Sequence, residues 1–197
     1  MNLDNIRTHK PGLIELENLH RSAVCIPLIK TEAGINVLFE IRSEDIPDQP
    51  GDVCLPGGAI EPGETPREAA VRESCEELLI DASQLNVIGE SNLFHRTTAS
   101  IYSFVAELSS YEGTFSRSEV SRVFEVPLDY FLSTEPERCS VETWVQPGED
   151  FPYERIRGGR KYKWRSSKFD ELFYEYDGIT IWGITARIMY EFTKIIK

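Results

Sequence analysis

Residues 57–80 read Gly57-Gly58-Ala-Ile-Glu-Pro-Gly-Glu64-Thr65-Pro66-Arg67-Glu68-Ala-Ala-Val71-Arg72-Glu73-Ser74-Cys75-Glu76-Glu77-Leu78-Leu79-Ile80. Thr65 stands where it caps a helix whose first residue is Pro66 and whose third is Glu68, a capping box with proline where its missing N–H costs nothing. From that start Val71, Ser74, Cys75 and Leu78 recur at spacings of three and four, which predicts an inward stripe, while Glu73, Glu76 and Glu77 share a neighbouring face. Like charges that close repel one another unless a cation neutralises them, and hard carboxylate oxygens suit Mg²⁺ or Mn²⁺. Arg72 follows Glu68 by four residues and also reaches back toward Glu64. The Gly57-Gly58 pair lets backbone carbonyls approach the same ion. A solvated acidic face gives the same composition, so the glutamates alone leave both readings open.

The full spacing resembles the Nudix box, GX5EX7REUXEEXGU with U aliphatic. Gly58, Glu64, Arg72, Glu73, Glu76 and Glu77 match, as does the closing aliphatic at Ile80. Six fixed residues at roughly 5 to 7% usage each coincide on the order of once in 10⁷ starting positions, so the helix is read as part of that box. Ser74 stands where an aliphatic is usual, and Leu79 where the box has glycine. Leucine avoids the left-handed cap conformation, so the helix is expected to end differently, about a turn later.

A chain of 197 residues with 41% hydrophobic and 11% aromatic content suits one domain with a sizeable core. Its net charge of -12 lacks the basic footprint of a nucleic-acid surface. No apolar run has the length of a membrane span, and charged residues interrupt the first thirteen positions, so a cytoplasmic protein with no membrane partner is expected. Cys25, Cys54, Cys75 and Cys139 form no CxxC pair and are read as reduced thiols.

Leu13, Leu16 and Leu19 to His20 carry a weak helical pattern, and residues 1–21 are read as an N-terminal arm before a domain over 22–197. Strands are expected over 22–30, 35–42, 53–55, 86–93, 100–108, 119–128, 139–145 and 169–176, with a short helix over 129–132 and a closing helix over 181–196. His95 and Arg96 fall in a loop, where a lone histidine is ordinarily polar surface. Glu119 opens a strand, as a metal ligand or base, or as a surface residue. Residues 155–168 hold seven cations, among them Arg157 and Arg160, with Tyr162 and Trp164 interleaved. That stretch grips substrate phosphates or is a solvated loop in an acidic protein.

Beyond the box, Leu38-Phe-Glu-Ile-Arg42-Ser43 running to Pro56-Gly57-Gly58 resembles the LLTxRSxxLRxHxGQVxFPGG segment of the coenzyme A pyrophosphatase branch of the Nudix hydrolases. Pro47, Gln49, Asp52 and Leu55 depart from it. Residues 119–128 and Ile181-Trp182-Gly183-Ile-Thr185-Ala186-Arg187 are similar to that branch's EVxxVFxVPL and IWGxTAR. The resemblance implies a Nudix α/β/α sandwich, a mixed sheet between helices. It implies a metal held by Glu73, Glu76, Glu77 and the Gly57 carbonyl, supported by an Arg72–Glu64 pair, with Glu119 as an additional ligand or base and Arg42, Arg157 and Arg160 toward substrate. The implied substrate is coenzyme A or an acyl derivative, cleaved to 3′,5′-ADP and 4′-phosphopantetheine. Another nucleoside diphosphate derivative such as ADP-ribose is the enzymatic alternative, and a ligand-binding regulator without turnover is the non-enzymatic one. Oligomeric state is left open.

Overall fold

Strands form where β-branched and aliphatic residues cluster, and the longest such runs make the middle of one sheet. The computed structural model describes residues 19–96 and 99–197. Strand β1 (His20–Thr31) and β2 (Gly34–Arg42) form an antiparallel hairpin through the turn at Glu32 and Ala33. β3 (Val53–Cys54) and β8 (Val120–Pro127) both pair with β2, and β4 (Gly57–Ala59) pairs with β1. On the other side β1 runs parallel to β7 (Ala99–Leu108), which carries β5 (Leu85–Glu90) and β6 (Phe94–Arg96). The eight-stranded sheet is therefore mixed.

Alternation along each strand sends side chains to opposite faces. Cys25 and Leu38 join Leu78 of helix α1 (Pro66–Leu78) in one core. Ile26, Val37 and Phe39, each one position away, join a second core on the opposite face. That second core is closed by α2 (Leu128–Ser133), α3 (Gly183–Ile196) and a separate antiparallel sheet of β9 (Glu137–Thr143), β10 (Ser167–Tyr176) and β11 (Ile179–Trp182). Helices thus lie on both faces of the mixed sheet, as the α/β/α expectation requires.

Several local expectations change. Ile181 and Trp182 belong to β11 rather than to the closing helix, because they pair with Tyr174 and Phe173, and Trp182 stacks on Phe173 with centroids 5.9 Å apart. The helix starts at Gly183. Of residues 86–93 only 86–90 are strand, in β5, and β6 begins at Phe94, which places His95 and Arg96 in a strand. The arm expected over 1–21 lies outside the described residues up to position 18, and His20 and Arg21 are already in β1.

Helix α1 ends without the extra turn expected of it. Leu79 takes the left-handed cap at φ 53 and ψ 50, a conformation costing a leucine about 1–2 kcal/mol. The reversal turns Ile80 back against the core around Leu78, and the exposed Leu79 side chain loses little by it. Thr114 Oγ1 donates to the Leu78 carbonyl at 2.7 Å and the Ser116 N–H to that of Glu77 at 2.7 Å, so the loop before β8 satisfies the helix's terminal acceptors.

Candidate active site

The start of α1 is built as its sequence dictates. Thr65 accepts the Glu68 N–H at 3.3 Å, and Glu68 accepts the Thr65 N–H at 2.8 Å. Glu68 is consumed by this box, so Arg72 turns to Glu64. Its Nε and Nη2 reach the two Glu64 oxygens at 2.9 and 3.1 Å, the planar fork-to-carboxylate match that arginine makes best. Nη1 meets Glu73 at 2.8 Å and Glu76 at 3.3 Å, and Nη2 also donates to the Ala59 carbonyl at 3.1 Å. One guanidinium therefore ties the loop before the helix to the acidic face. Its pairing holds the Glu64 carboxyl below its usual range and raises the affinity of Arg72 for its proton.

The buried stripe of α1 differs from the predicted one. Ala69, Ala70, Ser74, Glu77 and Leu78 are buried, whereas Val71 and Cys75 are half-buried. The two alanines let the helix come close to the sheet, and that rotation carries Glu77 inward, away from the more exposed Glu73 and Glu76. Glu77 accepts the Gly57 N–H at 2.7 Å. Gly57 is required here by the backbone, and Gly58 leaves room for the Glu73 carboxylate. A Cβ on Gly57, at φ +148, would collide with the Ala23 carbonyl, and one on Gly58 would lie 2.5 Å from the Glu73 carboxyl carbon.

Beneath Glu77 sits a residue that the sequence reading missed. Glu40, in the middle of β2, is 0% exposed, and its Oε1 has no hydrogen-bond partner. Burial first, and then the neighbouring Glu77 charge and carboxyl contact, push the Glu40 pKa well up. Glu77 is pushed up to about 7, by burial and by the Glu73 and Glu119 charges, against the lowering effect of the Gly57 N–H and Arg42. A carboxylate inside the apolar run VLFEIR was the available signal, since such groups are almost never fully buried unless paired.

Glu119 is exposed, its backbone fixed by Ser116 and Ser43, and its charge bears on both Glu77 and Glu40. Arg42 donates from Nε to the Asp48 carbonyl at 3.1 Å and lies close enough to lower both buried glutamates. It also borders a cavity of about 250 Å³ with Cys54, Arg96, Glu171, Trp182 and Thr185. Arg96 there pairs with Glu171 at 2.8 Å above the Phe169 ring.

The structure thus gathers Gly57, Glu64, Arg72, Glu73, Glu76, Glu77, Glu119 and Arg42. It does not tie Arg157 and Arg160 to them: among the described residues no hydrogen bond or ion pair links residues 155–168 to this cluster. Arg160 instead lies over the Tyr153 ring at 4.8 Å, within the long β9–β10 connection. His95 contacts Ser100 through Nδ1 at 2.9 Å.

Among the described residues no three donor side chains already close on one point. The donors nevertheless fit a divalent cation. They are hard oxygens on adjacent turns of one helix, and the buried Glu40 oxygen beside Glu77 is a further carboxyl oxygen that no protein donor reaches. Among the described residues no helix is long and apolar enough to cross a membrane.

Comparison with known proteins bears on family and fold. Residues 19–151 match the NUDIX domain family. Nudix hydrolase 3 of Caenorhabditis elegans is 32% identical over 139 residues, covering 66% of this chain and 58% of that protein. Peroxisomal coenzyme A diphosphatase NUDT7 of Mus musculus is 31% identical, covering 67% of this chain and 56% of the relative. The chain therefore spans a little over half the length of these two relatives. A MutT/nudix family protein from Enterococcus faecalis superposes over 100% of this chain and 70% of its own with a TM-score of 0.53 at 14% identity, a likeness of fold alone.

Proposed function

The chain belongs to the NUDIX family, and from that premise we propose that it hydrolyses the diphosphate bond of coenzyme A or acyl-coenzyme A, giving 3′,5′-ADP and a 4′-phosphopantetheine derivative. The observation that carries the reaction is the acidic end of α1, braced by the Arg72–Glu64 fork against the Gly57-Gly58 strand. Glu73, Glu76, Glu77 and the Gly57 carbonyl would hold Mg²⁺ or Mn²⁺. Such an ion, when bound, offsets phosphate charge and lowers the pKa of a water.

Within this reading Arg72 and Glu64 position Glu73 and Glu76. A site carboxylate takes the proton as water oxygen bonds to phosphorus and the bridging P–O bond breaks. Glu119 supplies a further ligand or that base. Arg42, between the buried glutamates and the cavity beside Trp182, faces substrate, and Arg157 and Arg160 are assigned to a more distant phosphate.

The choice of coenzyme A is supported by the segments around Arg42 and Trp182 and by the activity in the mouse relative's name. Four free thiols suit a reducing compartment such as the cytoplasm. The test is a panel of coenzyme A, acetyl-coenzyme A, 3′-dephospho-coenzyme A, ADP-ribose and dinucleoside polyphosphates with Mg²⁺ or Mn²⁺, with products identified by mass. Coenzyme A is expected to give the highest kcat/KM. Preference for ADP-ribose overturns the substrate, and binding without cleavage of any member overturns the hydrolase.

A further inference from the structure

Glu40 is conspicuous because its local sequence argues for an uncharged residue. Its neighbours on β2, Leu38 and Phe39, are buried aliphatic and aromatic groups, and it pairs across the sheet with Cys54 on one side and Val123 on the other. The Glu40 side chain is fully shielded from water. Alternation from Leu38 sends it toward α1, where it meets Glu77. The LLTxRSxxLRxHxGQVxFPGG segment has threonine at this place.

An ordinary structural role would be an ion pair with Arg42, the nearest cation. That pair is not made: Arg42 gives its Nε to the Asp48 carbonyl, and no salt bridge joins it to Glu40 among the described residues. Apart from the neighbouring Glu77 carboxyl, Glu40 Oε2 has only the Cys54 thiol at 4.0 Å, and Oε1 receives no hydrogen bond. The charged groups around it are Glu77, Glu119 and Arg42, two negative against one positive.

We propose that Glu40 is a fourth carboxylate of the divalent-cation site, set beneath Glu77 and holding it toward the ion. This rests on the metal-dependent reading above. Glu40 is a positioning residue, acting through the Glu77 carboxylate rather than on substrate. Outer partners of this kind orient a ligand and tune its affinity for the ion.

The test measures Mn²⁺ binding to the whole chain by electron paramagnetic resonance and calorimetry, with no substrate present, in wild type, Glu40→Gln and Glu40→Thr. Both variants are expected to bind Mn²⁺ about tenfold more weakly or worse and to show a smaller Tm rise on adding the ion. Threonine, the residue of the branch segment, keeps the measurement available if glutamine misfolds. Mn²⁺ affinity within twofold of wild type in a folded variant overturns the proposal. The outcomes separate it from the assigned reaction. Weakened Mn²⁺ binding in the variants of a wild type that cleaves no diphosphate removes the hydrolase and keeps Glu40 as a metal-site residue. Full hydrolysis with unchanged Mn²⁺ affinity removes Glu40 alone, and a wild type that binds no Mn²⁺ removes both.

Discussion

Seven cations crowd residues 155–168, and three carboxylates crowd the second half of α1 with a fourth beneath them, but the two groups of charge are held in different ways. Around α1 the charges are tied to other elements of the fold: Arg72 donates to the Ala59 carbonyl of β4, Glu77 accepts the Gly57 N–H, and Glu40 comes from β2. In the basic stretch the contacts are local. Arg155 lies 3.6 Å from its neighbour Glu154 with both side chains more than 70% exposed, and Arg160 rests on nearby Tyr153. Exposed pairs of this type contribute about 0–1 kcal/mol. Charge density along a chain therefore does not tell whether the charges are positioned, whereas burial and long-range partners do.

The sharpest way to break the comparison is Glu76→Gln. Glu76 is exposed and touches only Arg72 among its described hydrogen-bond partners, at 3.3 Å, so folding should persist. Turnover is expected to fall by two to three orders of magnitude, roughly 3 to 4 kcal/mol of barrier. A kcat within threefold of wild type would sink the assignment of α1 as the catalytic element.

A second measurement concerns Glu77 in protein stripped of metal. Its pKa rises from the ordinary 4.5 to about 7, so between these values the native state binds a proton that the unfolded chain has lost. Stability contributed by the protonated group is present in full below about pH 4.5 and falls as pH rises toward 7, by roughly 3 kcal/mol in total. Denaturant melts from pH 5 to 8 in chelator should show this slope in wild type and a shallower one in Glu77→Gln, where the buried Glu40 still contributes, and saturating Mg²⁺ should flatten the wild-type curve. Parallel curves for the two proteins would contradict the buried-carboxyl account.

The smallest expected effect is on the basic side. Replacing Arg157 and Arg160 together by alanine should shift stability by about 0.5 kcal/mol or less, as exposed positions do. If the pair contacts the 3′-phosphate, KM for coenzyme A should rise about tenfold, near 1.4 kcal/mol, with less change for 3′-dephospho-coenzyme A. Equal changes for both substrates would leave the stretch a solvated loop.

Much of α1 was legible because its determinants are local. The capping box, the proline start and the reach of Arg72 to Glu64 all follow from spacings within one or two helical turns. What was not legible depended on tertiary approach. Ala69 and Ala70 give no hydrophobic signal of their own, but their small size lets the helix settle close to the sheet and turns Glu77 inward. Leu79 obeys the packing of Ile80 rather than its own backbone preference. Trp182 looked helical by spacing and became a strand residue because Phe173 offered it a cross-strand partner. Glu40 was written in plain view, but only the structure brings Glu77 against it.

The segment from Thr114 to Glu119 carries a consequence for how the chain tolerates change. Its composition is polar and largely exposed, which ordinarily marks a place where insertions are accepted. Thr114 and Ser116, however, bind the last carbonyls of α1, the Ser116 carbonyl holds the Glu119 N–H, and the Glu119 carbonyl receives Ser43. The spacing between Thr114 and Glu119 works as a fixed ruler between the end of the helix and a site carboxylate. Residues added before Thr114, beside Glu112 and Gly113, lengthen a surface loop. The same residues added after Ser116 shift Glu119 out of register with α1, so insertion scanning would find an abrupt boundary inside one continuous loop.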